Sequence, residues 1–315
     1  ITEWYPKAAL YDSKGWHQMP YTDQGEFYND FGNYDVHITL PENYKLGATG
    51  VLRGSEETKI QKTNNKNQNT KDKTQEEPKI KKPFFPSKKK EEEDITPPSS
   101  RKWKTWHYAA ENVNDFAWFA DKTFMVKTDT IQLATHTVTA NCYYLPGRAE
   151  DYRNCMKFIK NAVRFYSSWL GEYPYPSVNV VDVPKELSFV ASMEYPMITT
   201  INEDGEKDVD ITIAHEIGHN WFMAILSTNE RDHAWMDEGI NSYIEKKYTE
   251  KYYPENKDEV VRESGNRLSF ENIVRALFMN RIAMKKDQPI DTPSDSISSS
   301  NYGDVVYDKT ADWLL

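Results

Sequence analysis

Hydrophobic and polar residues alternate over the first part of the chain, and this alternation predicts β-strands. In residues 34–40 every second residue is apolar or aromatic, and Pro41 follows directly. Alternation of this kind places one face of a strand against a core and the other face in solvent. Residues 116–119 and 131–138 look like further strands of the same kind. We therefore expect a β-rich N-terminal domain over residues 1–146.

The pattern of apolar residues is interrupted from about residue 55 to about residue 104. This stretch consists of Lys, Glu, Asn, Gln, Thr and Pro with hardly an aliphatic residue, and it includes the charged run 88–94. Such a segment cannot bury enough apolar surface to offset the entropy lost on ordering. We expect a disordered insertion within the N-terminal domain. The mixed charge favours this interpretation over a basic docking segment.

The second half of the chain has mainly helical periodicity. A helix is predicted from about Arg148 to Leu170, with Gly171 just past its end. Its apolar face consists of Met156, Ile159, Ala162, Val163 and Tyr166. Short strands are expected around 178–183 and 197–201, followed by helices to the C-terminus. The predicted fold class is α+β, with a mainly helical second domain over 147–315.

Composition limits the possible functions. The chain has 315 residues, which is enough for two domains. Its formal net charge of −10 argues against a nucleic-acid-binding surface and is compatible with cationic ligands. Its two cysteines, Cys142 and Cys155, are too few for a disulfide framework, and we interpret them as incidental thiols. No C-x-x-C pair is present, which excludes a cysteine-based zinc site. No apolar run is long enough to predict a transmembrane segment.

The segment from His215 to His219 reads H-E-I-G-H within a helical pattern. Two histidines four residues apart lie one turn from each other on one helix face, so both imidazoles can reach one ion. Glu216 lies toward the same side, near enough to accept a proton from an attacking water. Zn²⁺ suits imidazole ligands, and this spacing predicts one zinc ion per chain.

A third ligand is available in Glu238, eighteen residues after His219. Residues 227–229 look like a turn, and helical spacing resumes at Gly239, so two antiparallel helices would bring Glu238 back beside the histidines. The alternative is that two core histidines and a surface glutamate lie on unrelated helices. A zinc-binding imidazole usually donates its second ring N–H to a carboxylate. The carboxylates near in sequence are Asp237, Glu230 and Asp232, and the spacing does not choose among them.

These residues resemble the gluzincin aminopeptidases of the aminopeptidase N type, especially bacterial members. The resemblance covers His215, Glu216, His219 and Glu238, the segment 191–196 (A-S-M-E-Y-P) and the segment 303–309, and it extends over most of the chain except the insertion. It implies a thermolysin-like zinc catalytic domain. The C-terminal helical domain that is usual in the family has no counterpart here.

The resemblance also implies roles for residues outside the zinc motif. Glu194 would bind the free α-ammonium of the substrate, and the neighbouring Ser192 and Met193 would contact substrate. Tyr307 would donate a hydrogen bond to the oxyanion, with Tyr302 as a competing candidate. The family segment reads G-x-M-E-N, so Ala191, Ser192 and Tyr195 depart from it; their larger side chains would narrow the site. Gln24 or Glu26 would reach the cleft from the N-terminal domain.

The function expected from these residues is zinc-dependent hydrolysis of the N-terminal peptide bond of peptides that have a free N-terminus. Two alternatives stay open, a zinc endopeptidase and a non-catalytic peptide-binding protein that keeps the fold. The chain starts at Ile1 in sequence typical of a domain interior and stops within a helical pattern, so we expect a fragment. Exported bacterial relatives favour the cell envelope or periplasm as its location. Residue preference and oligomeric state do not follow from the sequence.

Overall fold

The computed structural model of the chain describes residues 1–2, 4–18, 24–25, 28–58, 96–184, 192–254, 260–263 and 266–315, and for 260–263, 266–274 and 277 it describes the backbone alone. The described strands before residue 145 are β1 (Leu10–Asp12), β2 (Gly15–His17), β3 (Gly32–Pro41), β4 (Lys45–Ala48), β5 (Val51–Thr58), β6 (Trp103–Val113), β7 (Trp118–Asp121), β8 (Met125–Gln132) and β9 (Thr137–Tyr144).

The described elements after residue 145 are mainly helices. They are α1 (Cys155–Leu170), β10 (Ser177–Asp182), β11 (Ile198–Ile201), α2 (Glu206–Phe222), α3 (Glu230–Ala234), α4 (Ile240–Tyr252), β12 (Val260–Glu263), β13 (Asn266–Ser269), α5 (Phe270–Ala283), α6 (Ser299–Asn301) and α7 (Thr310–Leu314). Two π-helical stretches, the Trp235–Gly239 turn and the Tyr302–Lys309 segment, precede α4 and α7. The α+β prediction is confirmed.

The strand predicted at residues 34–40 is confirmed as β3. It pairs antiparallel with β6, which also pairs antiparallel with β5, and this three-stranded sheet has the order β3-β6-β5. Ile38 and Trp106 lie opposite each other and are buried, so this face of the sheet contacts the core. A second pair, β4 with β7, begins its second strand at Trp118 rather than at Phe116. Phe116 and Ala117 are fully buried before the strand, and Ala117 N donates to Thr49 Oγ1 at 3.1 Å.

The insertion predicted from about residue 55 to 104 is too long at both ends, because strands occupy its first and last residues. Residues 55–58 belong to β5 and residues 103–104 belong to β6, which pair with each other up to Thr58 and Trp103. β5 is exposed along nearly its whole length, so polar residues are tolerated in it and their polarity did not indicate a loop. Residues 59–95, the greater part of the prediction, lie outside the described residues.

A mixed four-stranded sheet joins the two halves of the chain. Its order is β11-β10-β9-β8, with β10 parallel to both β9 and β11, and β8 antiparallel to β9. The single strand predicted at 131–138 is wrong, because a turn separates β8 from β9. Leu133 N donates to His136 O at 2.9 Å, and Glu172 accepts a hydrogen bond from Thr135 N at 3.1 Å, which holds the turn. The sheet includes strands on both sides of residue 146, so the division into two domains there stays a prediction.

Helix α1 begins at Cys155, seven residues later than predicted. A single 3₁₀ turn, Pro146–Arg148, comes first. The Arg148 guanidinium pairs with Asp204 and approaches Asp182 at the end of β10, and these tertiary contacts hold the chain in turns before the helix. The end of the helix is as predicted, since Gly171 has a φ of 101° and its N–H bonds to Ser167 O.

Helix α2 lies at the centre of the second half, between α1 and α4. Tyr166 of α1 stacks on Trp221 of α2 with ring centroids 5.6 Å apart. The predicted run of helices to the C-terminus is interrupted by the antiparallel hairpin β12-β13, in which Val260 lies opposite Ser269. Consecutive β-branched valines favour an extended backbone there.

Cys142 and Cys155 are both buried and form no disulfide, as the composition predicted. No helix among the described residues combines the length and apolar character that crossing a membrane would require.

Candidate active site

Helix α2 carries the two histidines predicted to bind metal. It begins after Gly205, whose φ of 85° favours glycine, and Glu206 and Asp208 occupy its first turn, where carboxylates stabilise the positive end of the helix dipole. His215 and His219 lie one turn apart on the same face, with ring centroids 4.8 Å apart. Both imidazoles are therefore close enough to bind the same ion.

The third predicted ligand, Glu238, reaches the histidines from the Trp235–Gly239 turn, directly before α4. Helix α4 packs against α2 and fixes the position of this turn. The Nε2 atoms of His215 and His219 are 3.1 Å apart, and Glu238 Oε2 lies 3.2 Å from each of them. The structure therefore brings together the three residues that the spacing singled out.

The three ligand atoms form a nearly equilateral triangle of the size that zinc requires. Tetrahedral ligands at zinc distances of about 2.0–2.1 Å are separated from one another by about 3.3 Å. The observed separations of 3.1–3.2 Å are close to this value. Two imidazoles and one carboxylate are also a donor set that suits zinc, so the residues present fit this ion.

Both imidazoles are held by carboxylates on the side that faces away from the triangle. His219 Nδ1 lies 2.5 Å from Asp237 Oδ1, and His215 Nδ1 lies 2.8 Å from Glu245 Oε2. Contacts of this kind fix the orientation and tautomer of a metal-binding histidine. Asn241 Nδ2 donates to the backbone carbonyl of His215 at 2.8 Å and holds the helix itself in place.

Asp237, and not Glu230 or Asp232, is the predicted carboxylate that contacts a histidine of the triangle from behind. Glu245 was not among the predicted residues. A signal was nevertheless present, because Glu245 follows Glu238 by seven residues, or two helical turns, and therefore projects from the same side of α4.

Two glycines allow the helices to approach closely enough to form the site. A Cβ at Gly218 would clash with Asn241 Oδ1 and with the Tyr166 ring. The Tyr166 hydroxyl donates a hydrogen bond to the same Asn241 oxygen at 3.0 Å. A Cβ at Gly239 would lie 2.5 Å from Val306 O in the Tyr302–Lys309 segment. Glycine at these positions therefore couples α2 to α4 and Glu238 to the C-terminal residues.

Glu216 lies beside the triangle and is 6% exposed. Among the residues that the structure describes, no group forms a hydrogen bond with its Oε2 atom. Burial raises the pKa of Glu216 to about 7; the charges of His215 and His219 act in the opposite direction, and that of Glu238 adds to the rise. A carboxyl group with this pKa can both accept and release a proton near neutral pH.

The interactions among these groups also shift the pKa values of the ligands. Burial lowers the pKa of His215, but hydrogen bonds to Glu238 and Glu245 outweigh it and raise the pKa to about 10. Burial likewise opposes the rise at His219, where the charges of Asp237 and Glu238 hold the pKa well above its usual range. A metal ion must displace these protons when it binds.

Glu194 lies in the same pocket and is 5% exposed. Oxygen atoms of Glu194, Glu230 and Glu238 all lie within 4.8 Å of one another. Burial raises the pKa of Glu194 well above its usual range; His219 opposes this, and the charges of Glu238, Glu216 and Glu230 increase it. Three buried carboxyl groups this close cannot all be charged without a compensating cation. Glu230 therefore contributes to this carboxylate pocket, whereas its spacing had suggested only a contact with a histidine.

The backbone next to Glu194 is anchored to the end of β11. Met193 N donates to Thr200 O at 3.1 Å, and Thr200 N donates to Met193 O at 2.8 Å. The hydroxyl of Ser192 accepts a hydrogen bond from Asn202 N at 3.0 Å. Ala191, the first departure from the family segment, lies outside the described residues.

Tyr307 and Tyr302 both lie at this pocket, on the Tyr302–Lys309 segment. The Tyr307 ring is stacked on His215 with centroids 6.0 Å apart, and its hydroxyl has a hydrogen bond to Glu238. Burial raises the pKa of both tyrosines, and the charges of Glu238 and Glu194 raise them further. Tyr302 packs against Tyr307 with centroids 6.0 Å apart.

The N-terminal half also reaches this region through Gln24. Its Nε2 atom donates to Ser294 O at 3.2 Å, and Ser294 Oγ donates to the backbone carbonyl of Glu230 at 2.9 Å. The adjacent Gly25 has a φ of 71°, and a Cβ there would lie 3.3 Å from Glu230 O. Glu26, the other candidate from this domain, lies outside the described residues.

Known proteins share both the sequence and the fold of the chain. It is 24% identical to the puromycin-sensitive aminopeptidase of Caenorhabditis elegans over 183 residues, which cover 54% of this chain and 18% of the relative. It is 33% identical to leucine aminopeptidase 2 of Sclerotinia sclerotiorum over 109 residues, which cover 33% of this chain and 17% of the relative.

The M1 zinc metallopeptidase of Deinococcus radiodurans has a similar fold, with a TM-score of 0.57 at 16% identity over 91% of this chain and 51% of that protein. A variant of a two-domain M1 zinc metallopeptidase bound to L-arginine gives a TM-score of 0.56 at 16% identity, with the same coverage. The chain thus spans about half the length of these structures and less than a fifth of the two relatives. The model of the peptidase family M1 domain matches residues 154–315. This chain therefore belongs to peptidase family M1.

Proposed function

We propose that the chain carries the catalytic site of a zinc-dependent aminopeptidase, which hydrolyses the N-terminal peptide bond of peptides. The observation that carries the proposal is the triangle of His215 Nε2, His219 Nε2 and Glu238 Oε2, with edges of 3.1–3.2 Å, beside the buried carboxyl groups of Glu216 and Glu194. Membership of peptidase family M1 and the aminopeptidase relatives support the same activity.

His215, His219 and Glu238 would hold one zinc ion per chain, with Asp237 and Glu245 orienting the two imidazoles from behind. When bound, zinc supplies a Lewis acid that polarises the substrate carbonyl and acidifies water. The protein residues contribute the proton transfers, the anchoring of substrate and the stabilisation of developing charge.

Glu216 acts as the general base in this proposal. Its buried Oε2 atom, which has no hydrogen-bond partner among the described residues, accepts a proton from the attacking water. The same carboxyl group then delivers this proton to the nitrogen of the leaving amine. A pKa of about 7 suits both steps at neutral pH.

Glu194 binds the free α-ammonium group of the substrate, and Glu230 contributes to the same pocket. Five buried carboxyl groups, those of Glu194, Glu216, Glu230, Asp237 and Glu238, surround the site. A divalent ion neutralises only two negative charges, so the remaining charge favours a cationic group. Holding the N-terminus at Glu194 leaves only the first peptide bond within reach of Glu216, which restricts cleavage to that bond.

Tyr307 donates a hydrogen bond to the oxyanion that forms from the substrate carbonyl. Its hydroxyl is next to Glu238, and its ring is fixed by stacking on His215. A neutral phenol is required for this role, and the raised pKa of Tyr307 keeps it protonated. Tyr302 packs on Tyr307 and helps to fix the position of its ring.

The test compares aminoacyl reporters of Leu, Ala, Arg and Glu that have a free amine with their N-acetylated counterparts. Hydrolysis is measured before metal chelation, after chelation and after zinc is returned. We expect cleavage of the free-amine reporters only, lost on chelation and restored by zinc. Equal cleavage of the acetylated reporters would favour a zinc endopeptidase, and zinc binding without any cleavage would favour a non-catalytic peptide-binding protein.

A further inference from the structure

A second cluster of metal-ligating side chains lies on the outer face of the β3-β6-β5 sheet. His37 of β3 is directly opposite His107 of β6 in the antiparallel register. Asp35 lies two residues before His37 and therefore projects from the same face of the strand. The neighbouring pair Ile38 and Trp106 faces the buried side, so the cluster faces away from the core.

The ligand atoms of this cluster lie close together. Asp35 Oδ1 lies 3.3 Å from His37 Nε2 and 3.1 Å from His107 Nε2. The two imidazole rings are stacked, with centroids 4.3 Å apart and planes 8° apart. One ligand atom from each residue lies within 4.8 Å of the other two. The side chains of Asp35 and His37 are 70% and 59% exposed, so their χ rotations can close the remaining distance.

Direct contacts do not satisfy this cluster. Within the part of the chain that the structure describes, His107 Nε2 is shielded from solvent and has no hydrogen-bond partner of acceptable geometry, although Asp35 Oδ1 is close. An ion bound to the three side chains would satisfy the His107 nitrogen.

A cleft of about 300 Å³ opens beside the two histidines. It is lined by His37, Gly54, Ser55, Glu56, Thr105 and His107. Gly54 lies opposite His107 next to an irregularity in the register of β5, and no heavy atom lies within 4 Å of the position that a Cβ on it would take. The cleft gives an ion access to the histidines.

We propose that Asp35, His37 and His107 form a second metal site, for a divalent transition-metal cation of the kind that prefers imidazole ligands. Two imidazoles with one or two carboxylates favour Zn²⁺, Ni²⁺ or Cu²⁺ over Ca²⁺ and Mg²⁺, which prefer all-oxygen sites. A bound ion would connect β3 to β6 across the sheet. The proposal is independent of the proposed peptidase activity.

Zinc binding to the metal-stripped full chain tests this site, with Zn²⁺ alone as the probe and calorimetric stoichiometry as the readout. We expect two equivalents of zinc for the unmodified chain and loss of one equivalent in the double variant His37→Gln with His107→Gln. Asp35→Asn is expected to weaken the same equivalent. Because the cluster lies on the outer face of the sheet, away from the core, the variants are expected to fold, which circular dichroism checks.

His136→Gln is the matched control, because His136 lies 3.9 Å from a carboxylate oxygen of Glu172 and belongs to no cluster of metal-ligating side chains among the described residues. This variant should keep both equivalents. Retention of both equivalents in the double variant would overturn the proposal, as would a single equivalent in the unmodified chain that persists in the double variant. A single equivalent that disappears in the double variant would support this site and contradict the zinc site at His215.

Discussion

His215 Nδ1 lies 2.8 Å from Glu245 Oε2, two helical turns beyond the metal-facing Glu238. The imidazole is thereby fixed at both nitrogens, by Glu245 on one side and by the ligand triangle on the other. We expect Glu245→Gln to weaken zinc binding about 10–100-fold, because the neutral amide holds and polarises the ring less well. Competition with a chromogenic chelator measures the affinity. Glu250→Gln, on the same helix, is the control, and equal zinc affinity in both variants would exclude the supporting role of Glu245.

Glu216→Gln should abolish most hydrolysis while zinc stays bound. The amide keeps the shape of the side chain but cannot accept a proton, so kcat should fall about 10²–10⁴-fold. Steady-state kinetics together with zinc content checks this, and Glu150→Gln, at an exposed position far from the triangle, should leave both unchanged. A Glu216→Gln variant with nearly full kcat would show that another group transfers the proton.

Glu194→Gln should weaken the cleavage of peptides with a free N-terminus. Loss of a charge from a buried ionic contact costs about 2–5 kcal/mol, so kcat/KM for a free-amine reporter should fall at least roughly thirtyfold. Zinc content should be unchanged, and the acetylated reporter, which has no ammonium group, should stay uncleaved. Glu230→Gln should reduce kcat/KM for the free-amine reporter by a smaller factor. Loss of zinc from the Glu194→Gln variant would point to a structural role for Glu194.

Zinc affinity should rise with pH. The pKa of His215 in the metal-free chain is raised to about 10, above its usual value, so this histidine is protonated at neutral pH and its proton must leave when zinc binds. Each displaced proton increases the apparent affinity roughly tenfold per pH unit until the pH reaches the pKa. The same raised pKa means that His215 stabilises the metal-free fold below pH about 6.5 and that this contribution is lost as the pH rises toward 10. Chelator competition at pH 6.5, 7.5 and 8.5 measures the slope, and a flat profile would contradict the raised pKa.

Gly239→Ala should disrupt the site from outside the triangle. The added Cβ would lie 2.5 Å from Val306 O and would push the Tyr302–Lys309 segment, with Tyr307, away from Glu238. We expect a loss of about 1–3 kcal/mol in the free energy of unfolding and a larger proportional loss of kcat. Gly303→Ala is the control, since no heavy atom lies within 4 Å of its Cβ position. Denaturant unfolding measures the free energy of unfolding of both variants, and steady-state kinetics measures their kcat. A Gly239→Ala variant as stable and as active as Gly303→Ala would contradict the prediction.

The proposed zinc ligands could be identified from the sequence because their geometry is local. His215 and His219 are placed by helical periodicity alone, and the chain between α2 and α4, which includes α3, returns Glu238 to them. Glu245 could have been predicted in the same way, from its spacing of seven residues from Glu238. Glu230 was not, because its approach to Glu194 depends on how α3 packs beside the chain before β11, which no periodicity encodes.

The errors in the predicted elements have a common physical cause. Arg148 has helical neighbours in sequence but pairs with carboxylates at the end of β10 and after β11, and the turn between β8 and β9 is held by Glu172 from beyond α1. In each case a contact between residues distant in sequence overrides the local preference. The juxtaposition of His37 and His107 was unpredictable for the same reason, since strand register across a long intervening segment cannot be read from either strand.

Recovery of activity by zinc tests the central claim most directly. The metal-stripped chain is titrated with Zn²⁺ while hydrolysis of a free-amine leucyl reporter is followed. We expect no activity without metal, a linear rise as zinc fills the site formed by His215, His219 and Glu238, and no further rise from zinc bound at His37 and His107. Full activity in the absence of metal, or activity that depends on His37 and His107 instead of His215 and His219, would contradict the account.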